Sequence, residues 1–208
     1  MELRKPKHSF SLPVITKNKI TDDDPSHRSR VENYISQAGG NLIDHPGGTL
    51  AAHLGRIAAM LQSWDLERSV VDAGHLHAAY GTEGFGIAIA NSVGQVELID
   101  LVGEEAEELI SLYCRCDRNA SYSSWVSDKP YVVDRENGNI VSINDVQRKA
   151  LINITVANET DVLAHDPDLM KQHGKSLAAL FGGWRKYLSR PALENLDEWL
   201  STIKSQNN

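Results

Sequence analysis

The chain has 208 residues, 41% hydrophobic and 24% charged. That is a globular composition, with enough length for one sizeable core and no low-complexity segment. The formal charge is −7, and residues 1–30 hold seven Lys/Arg against four Asp/Glu, so the remainder is more acidic than the whole. An acidic body excludes the clustered cations of a nucleic-acid groove, and no apolar run approaches the roughly 20 residues of a membrane span.

Residues 1–25, interrupted by Pro6, Pro13 and Pro25, read as an extended N-terminal arm. The charged start has no apolar h-region after it, so no signal peptide is expected. Two cysteines, Cys114 and Cys116, give no disulfide framework, and a cytoplasmic location is expected. Residues 26–208 are expected to form a single domain.

A first helix is predicted over Ser26–Ala38, with Val31, Tyr34, Ile35 and Ala38 on one face and Gly39-Gly40 at its end. A turn through His45-Pro46-Gly47-Gly48 follows, and Thr49 caps a second helix. Leu50, Leu54, Ile57, Leu61 and Trp64 form its apolar stripe, and His53 lies on that stripe. Asp65 is expected to cap a third helix carrying Leu66, Val70, Ala73 and, four residues on, His77. In that phase His75 points away, about 200° round the helix. Tyr80-Gly81-Thr82-Glu83-Gly84-Phe85-Gly86 reads as a loop of special backbone shape shaping a pocket rim.

Helices are predicted near 93–102, with Ser92 and Gln95 as a capping box, and near 104–116, with acidic first turns that suit the helix dipole. Segments 130–134 and 140–143 flank Asn137-Gly138 and predict a small β-hairpin. A long helix is predicted over 145–165, on the stripe Val146, Ala150, Ile154 and Ala157. Asp161 continues that stripe, and an inward carboxylate needs an arginine, backbone donors or a metal. Two more helices, near 168–188 and 191–204, complete a mostly α, irregular helical bundle. Trp64, Trp125, Trp184 and Trp199 are assigned to packing. Arg56, Arg115, Arg118 and Arg148 are read as solvated charges able to face a phosphate, and His8, His165 and His173 as surface residues.

Three inward residues from three helices stand out: His53, His77 and Asp161. Two imidazoles and a carboxylate on rigid elements can hold a divalent ion, Fe, Mn or Zn, with positions open for water or substrate. A buried His–Asp cluster without metal is the plainer alternative. His45, just ahead of the His53 helix, is a candidate fourth ligand or substrate contact.

The run from His53-Leu54-Gly55-Arg56 to Ala73-Gly74-His75-Leu76-His77-Ala78 resembles the core of the HD-domain superfamily. The resemblance covers about residues 45–165 and implies an HD-like helical fold. In it His53 stands for the first histidine, His77 for the histidine of the His-Asp pair and Asp161 for the distant aspartate. Ala78 stands where the family has the aspartate of that pair, which puts a dinuclear site in doubt. The span from His53 to Glu83 also resembles the (p)ppGpp-hydrolase branch, and His77 to Glu83 resembles the His-x-x-Tyr-Gly-Thr-Glu signature of an uncharacterised helical family. The superfamily implies a metal-dependent hydrolase acting on a phosphoester or related small molecule; Glu83 and His45 are the candidate catalytic residues, Glu83 as base, and either is a candidate replacement for the missing ligand. An iron oxygenase using two histidines and one carboxylate is the second expectation. A ligand-binding domain that has lost its metal is the third.

Overall fold

The structure, a computed structural model, describes residues 24–90 and 94–205. The arm over 1–25 and the capping role of Ser92 therefore lie almost wholly outside the described residues. Among the described residues nine α-helices and two small antiparallel strand pairs make a mostly α fold. No helix among them is long and apolar enough to cross a membrane.

Side-chain caps set where the helices begin. Asp24 caps α1 (Pro25–Gln37), with proline in the first turn, where a missing N–H is harmless. Thr49 accepts from the Ala52 N–H and starts α2 (Leu50–Ser63). Asn144 and Gln147 form a capping box at α7 (Asp145–His165). Asp166 closes the gap to α8 (Pro167–Trp184). The other helices are α3 (Arg68–His75), α4 (Gln95–Val102), α5 (Glu104–Arg115), the one-turn α6 (Arg118–Ser121) and α9 (Arg190–Ser205).

Helix α2 packs against both α3 and α7, and its Leu50, Leu54, Ile57 and Leu61 are fully buried. Each such side chain stabilises the fold by about 1.5–3 kcal/mol. Helix α7 is buried on most sides, which is how it can bring polar residues to the interior. All four tryptophans pack as expected: Trp125 and Trp184 stack on each other, Tyr122 meets Trp184 edge-on, and Phe181 links Trp184 to Trp199.

Strands β1 (Asp44–His45) and β2 (Gly48–Thr49) form a tight turn ahead of α2. Gly47 has φ +77°, and a Cβ there would lie 2.5 Å from the His165 ring. The predicted hairpin forms from β3 (Tyr131–Val133) and β4 (Ile140–Ser142), with Val133 opposite Ile140 and Asn137-Gly138 in the connecting loop.

Three local expectations are corrected. Asp65 does not cap α3: it sits at φ +58°, and the helix starts three residues later. The helix ends at His75, so His77 lies beyond it in a turn, and helical phase does not aim it. His75 is buried on the side toward α1. Val146 is 66% exposed because the first turn of α7 projects beyond the core.

Candidate active site

The site grows from two i, i+3 pairs on facing helices. His53 and Arg56 share one face of α2, and Asn158 and Asp161 share one face of α7. Where the helices cross, the pairs interlock. His53 Nδ1 donates to Asp161 Oδ2 at 2.7 Å, and its Nε2 lies 3.0 Å from Asn158 Oδ1. Arg56 forks onto the same carboxylate, Nε to Oδ1 at 2.7 Å and Nη2 to Oδ2 at 2.8 Å. Its nitrogens also reach the carbonyls of Pro46 and Gly47, tying the β1–β2 turn to the network. Burial alone would raise the Asp161 pKa, but the hydrogen bonds from His53 and Arg56 override it and hold the group well below the usual carboxylate range.

The predicted residues His53, His77 and Asp161 are thus brought together, with His45 beside them. His45 stacks on His53 at 4.0 Å between ring centroids, and His77 meets His53 edge-on at 5.2 Å. His77 Nδ1 donates to Gly74 O at 2.7 Å, so its Nε2 carries the ring's lone pair. Two buried polar atoms in this cluster lack a hydrogen bond, His45 Nδ1 and Tyr113 Oη. The Tyr113 ring packs against His77 on one side and under Arg118 on the other.

A shared ion does not fit this arrangement. The Asn158 amide nitrogen donates to Glu159, which turns Asn158 Oδ1 toward His53, so both His53 nitrogens face oxygen acceptors. Both oxygens of Asp161 are held by Arg56 and His53. Of His53, His77 and Asp161, only His77, with one ring nitrogen on a backbone carbonyl and the other carrying the lone pair, has the pattern of a metal ligand. Among the described residues no three His, Cys, Asp or Glu side chains are grouped to hold a metal. Arg56 and His53 are the partners that the inward carboxylate of Asp161 meets.

The network backs a cavity of about 510 Å³ between α7, α8, α6 and the 82–85 loop. Asn158 joins the two, contacting His53 on one side and the cavity on the other. Glu83 lines the cavity, and its Oε2 accepts from the Arg118 backbone N–H at 2.7 Å. Arg118 in turn donates from Nη1 to Glu159 Oε1 at 2.8 Å. Burial opposes its charge, but Tyr113, Tyr122, Glu159 and Glu83 outweigh it and raise its pKa.

Of the four arginines read as solvated charges, Arg115 is exposed as expected, and the other three are partly or fully buried. Arg56 and Arg118 belong to the networks above, Arg115 pairs with the buried Asp134, and Arg148 donates to Ser127 O and lies over Tyr187. His165 donates to Asp161 O, and the exposed His173 lines the cavity. Cys114 and Cys116 are buried free thiols, and burial pushes their pKa values up to about 12 and about 11, away from nucleophilic use. Asn158, Glu159 and the role of Arg118 were not anticipated; the Asn158-x-x-Asp161 spacing opposite His53-x-x-Arg56 was the available signal. A second polar pair, His27 with Asp72 at 2.9 Å, was likewise not anticipated.

The buried imidazoles make stability depend on pH. Burial first, and the neighbouring His53 second, lower His77 to about 3 and His45 to about 4; burial lowers His75 to about 4. An unfolded histidine titrates near 6.5. Between these values the unfolded chain binds more protons, so stability is full above 6.5 and falls as pH drops. His75 and His77, both nearly fully buried, each contribute up to about 1.4 kcal/mol per pH unit in that window. The urea midpoint is expected to fall steeply from pH 7 to pH 5, less so in His75→Gln; a flat profile contradicts neutral burial.

A family model for a domain of unknown function (DUF6817) matches residues 34–118. The matched stretch is under half of the chain; it holds His45, His53, His77 and Glu83, and it stops before Asn158, Glu159 and Asp161. No curated protein and no solved structure matches the chain.

Proposed function

We propose that the chain is a hydrolase acting on a small molecule held in the cavity, with Glu83 as the general base. The observation that carries this reading is the cavity's polar wall. Glu83 and Glu159 stand there with Arg118, and Asn158 links the wall to the buried His53–Asp161–Arg56 network. Hydrolysis as the reaction class comes from the sequence resemblance to the HD superfamily, which is an analogy.

The Arg118 N–H holds the Glu83 carboxylate in place, so its position does not depend on a flexible side chain alone. From there it takes a proton from a water molecule as the water oxygen bonds to the scissile centre; the bond to the leaving group then breaks with its electron pair, and the leaving group takes up the proton from Glu83. Asn158 is fixed by His53 and Glu159, so its amide presents a preset dipole to the bound molecule. The network supports the site from behind: His53 is fully buried and acts by positioning Asn158. No step runs through a metal, because both ring nitrogens of His53 face protein oxygens and both oxygens of Asp161 are taken by His53 and Arg56.

The test is leaving-group release by the full chain from matched p-nitrophenyl carboxylic esters, an anilide and a phosphate. Glu83→Gln keeps an oxygen for the Arg118 N–H and is expected to lower kcat by about 100-fold or more, with KM little changed. A chelator is expected to leave the rate intact. Release from none of these substrates, or unchanged turnover in Glu83→Gln, removes the reading.

A further inference from the structure

We propose that the cavity takes an amphipathic amine, a cationic or donor-bearing head on an apolar body, rather than a phosphorylated molecule. This rests on the reading of that cavity as the reaction site and goes beyond it by naming the ligand's chemistry.

The first argument is charge. Two carboxylates, Glu83 and Glu159, line the cavity against one guanidinium, Arg118. That guanidinium is committed: it donates to Glu159 and lies against the Tyr113 ring 6.0 Å from its centroid. Among the described residues no lysine and no second arginine lines the cavity. A phosphate there would meet two carboxylates and compete with Glu159 for its one partner. An ammonium group instead meets the excess carboxylate charge, and its N–H donors suit a wall rich in oxygen acceptors.

The second argument is shape. On α8, Leu169, Leu177 and Leu180 recur with His173 and Ser176 on the face turned to the cavity. The three leucines are only half-buried, and Val162 of α7 and Phe85 of the loop face them across the same space. A volume of about 510 Å³ with one apolar side and one acidic end suits a molecule of the same two-part character. Phe85 and Tyr122 add aromatic rings to the lining.

The matched probes are 4-phenylbutylamine, 4-phenylbutanol, 4-phenylbutyrate and 4-phenylbutyl phosphate, titrated into the full chain by NMR and calorimetry. The amine is expected to bind at least about tenfold tighter than the carboxylate and the phosphate. Val162→Trp, which fills the cavity, is expected to abolish binding, and Glu83→Gln to weaken the amine about fivefold or more while leaving the alcohol unchanged. Circular dichroism of each variant separates lost binding from lost fold. Phosphate or carboxylate binding as tightly as the amine overturns the ligand assignment and leaves the cavity reading standing. Amine binding with no hydrolysis of any ester, anilide or phosphate overturns the hydrolase reading alone. Binding of none of the four probes overturns both.

Discussion

Asp161→Ala is expected to lower folding stability by about 3–5 kcal/mol, the cost of leaving buried charge without its partner. The carboxylate is 4% exposed and serves Arg56 through two hydrogen bonds and His53 through one. Removing it strands a guanidinium and a fully buried imidazole at the crossing of α2 and α7. The Arg56 side chain is 29% exposed and can turn partly to water, so the loss falls mainly on His53. Asp161→Asn keeps the shape and one acceptor and is expected to cost clearly less. Urea denaturation of both variants is the measurement. A loss below 1 kcal/mol for the alanine variant would place the pair among weak surface contacts and contradict the network.

Gly74→Ala is expected to cost about 1–3 kcal/mol, a penalty set by overpacking rather than by backbone strain. A Cβ at residue 74 would run into Leu61 Cδ1 and come within 3.3 Å of Ile57 Cγ2, both on the core face of α2. Close approach of α3 to α2 is what brings the turn carrying His77 to His53, and Gly74 also supplies the carbonyl that holds the His77 ring. The double variant with Leu61→Ala should be more stable than the sum of the two single losses, since the deleted methyls leave room for the added one. Strict additivity by urea denaturation would mean that the helices do not touch at this point.

Much of the fold was legible in the sequence because caps and apolar spacing act locally. Thr49, Gly39-Gly40 and Asn137-Gly138 mark real boundaries, and the α2 stripe is buried as its spacing requires. The site was legible in part, for a different reason. An inward carboxylate at Asp161 announces that it needs a partner, but spacing along one helix cannot say which partner another helix will bring. Arg56 supplied it, from a position that looked like an exposed face. His77 reached His53 although the phase argument behind it failed, because the turn after α3, and not the helix, carries the ring inward. Glu107 shows the same limit: its place in an acidic first turn hid that it is buried, accepting from Tyr80 and Gln95. Residues whose partners lie a hundred positions away, such as Asn158, leave no local trace.

The picture that emerges joins a buried polar crossing to a two-faced cavity through a single amide. Its physical centre is that His53 and Asp161 are saturated by protein groups, Asn158 and Arg56, and so act as a support and not as ligands. Elemental analysis of the full chain, dialysed in turn against Mn, Fe(II) and Zn and then washed, tests this most directly. The arrangement predicts that none is retained in stoichiometric amount and that His77→Ala changes nothing in the metal content. A stoichiometric ion, lost in both His77→Ala and Asp161→Asn, would contradict it.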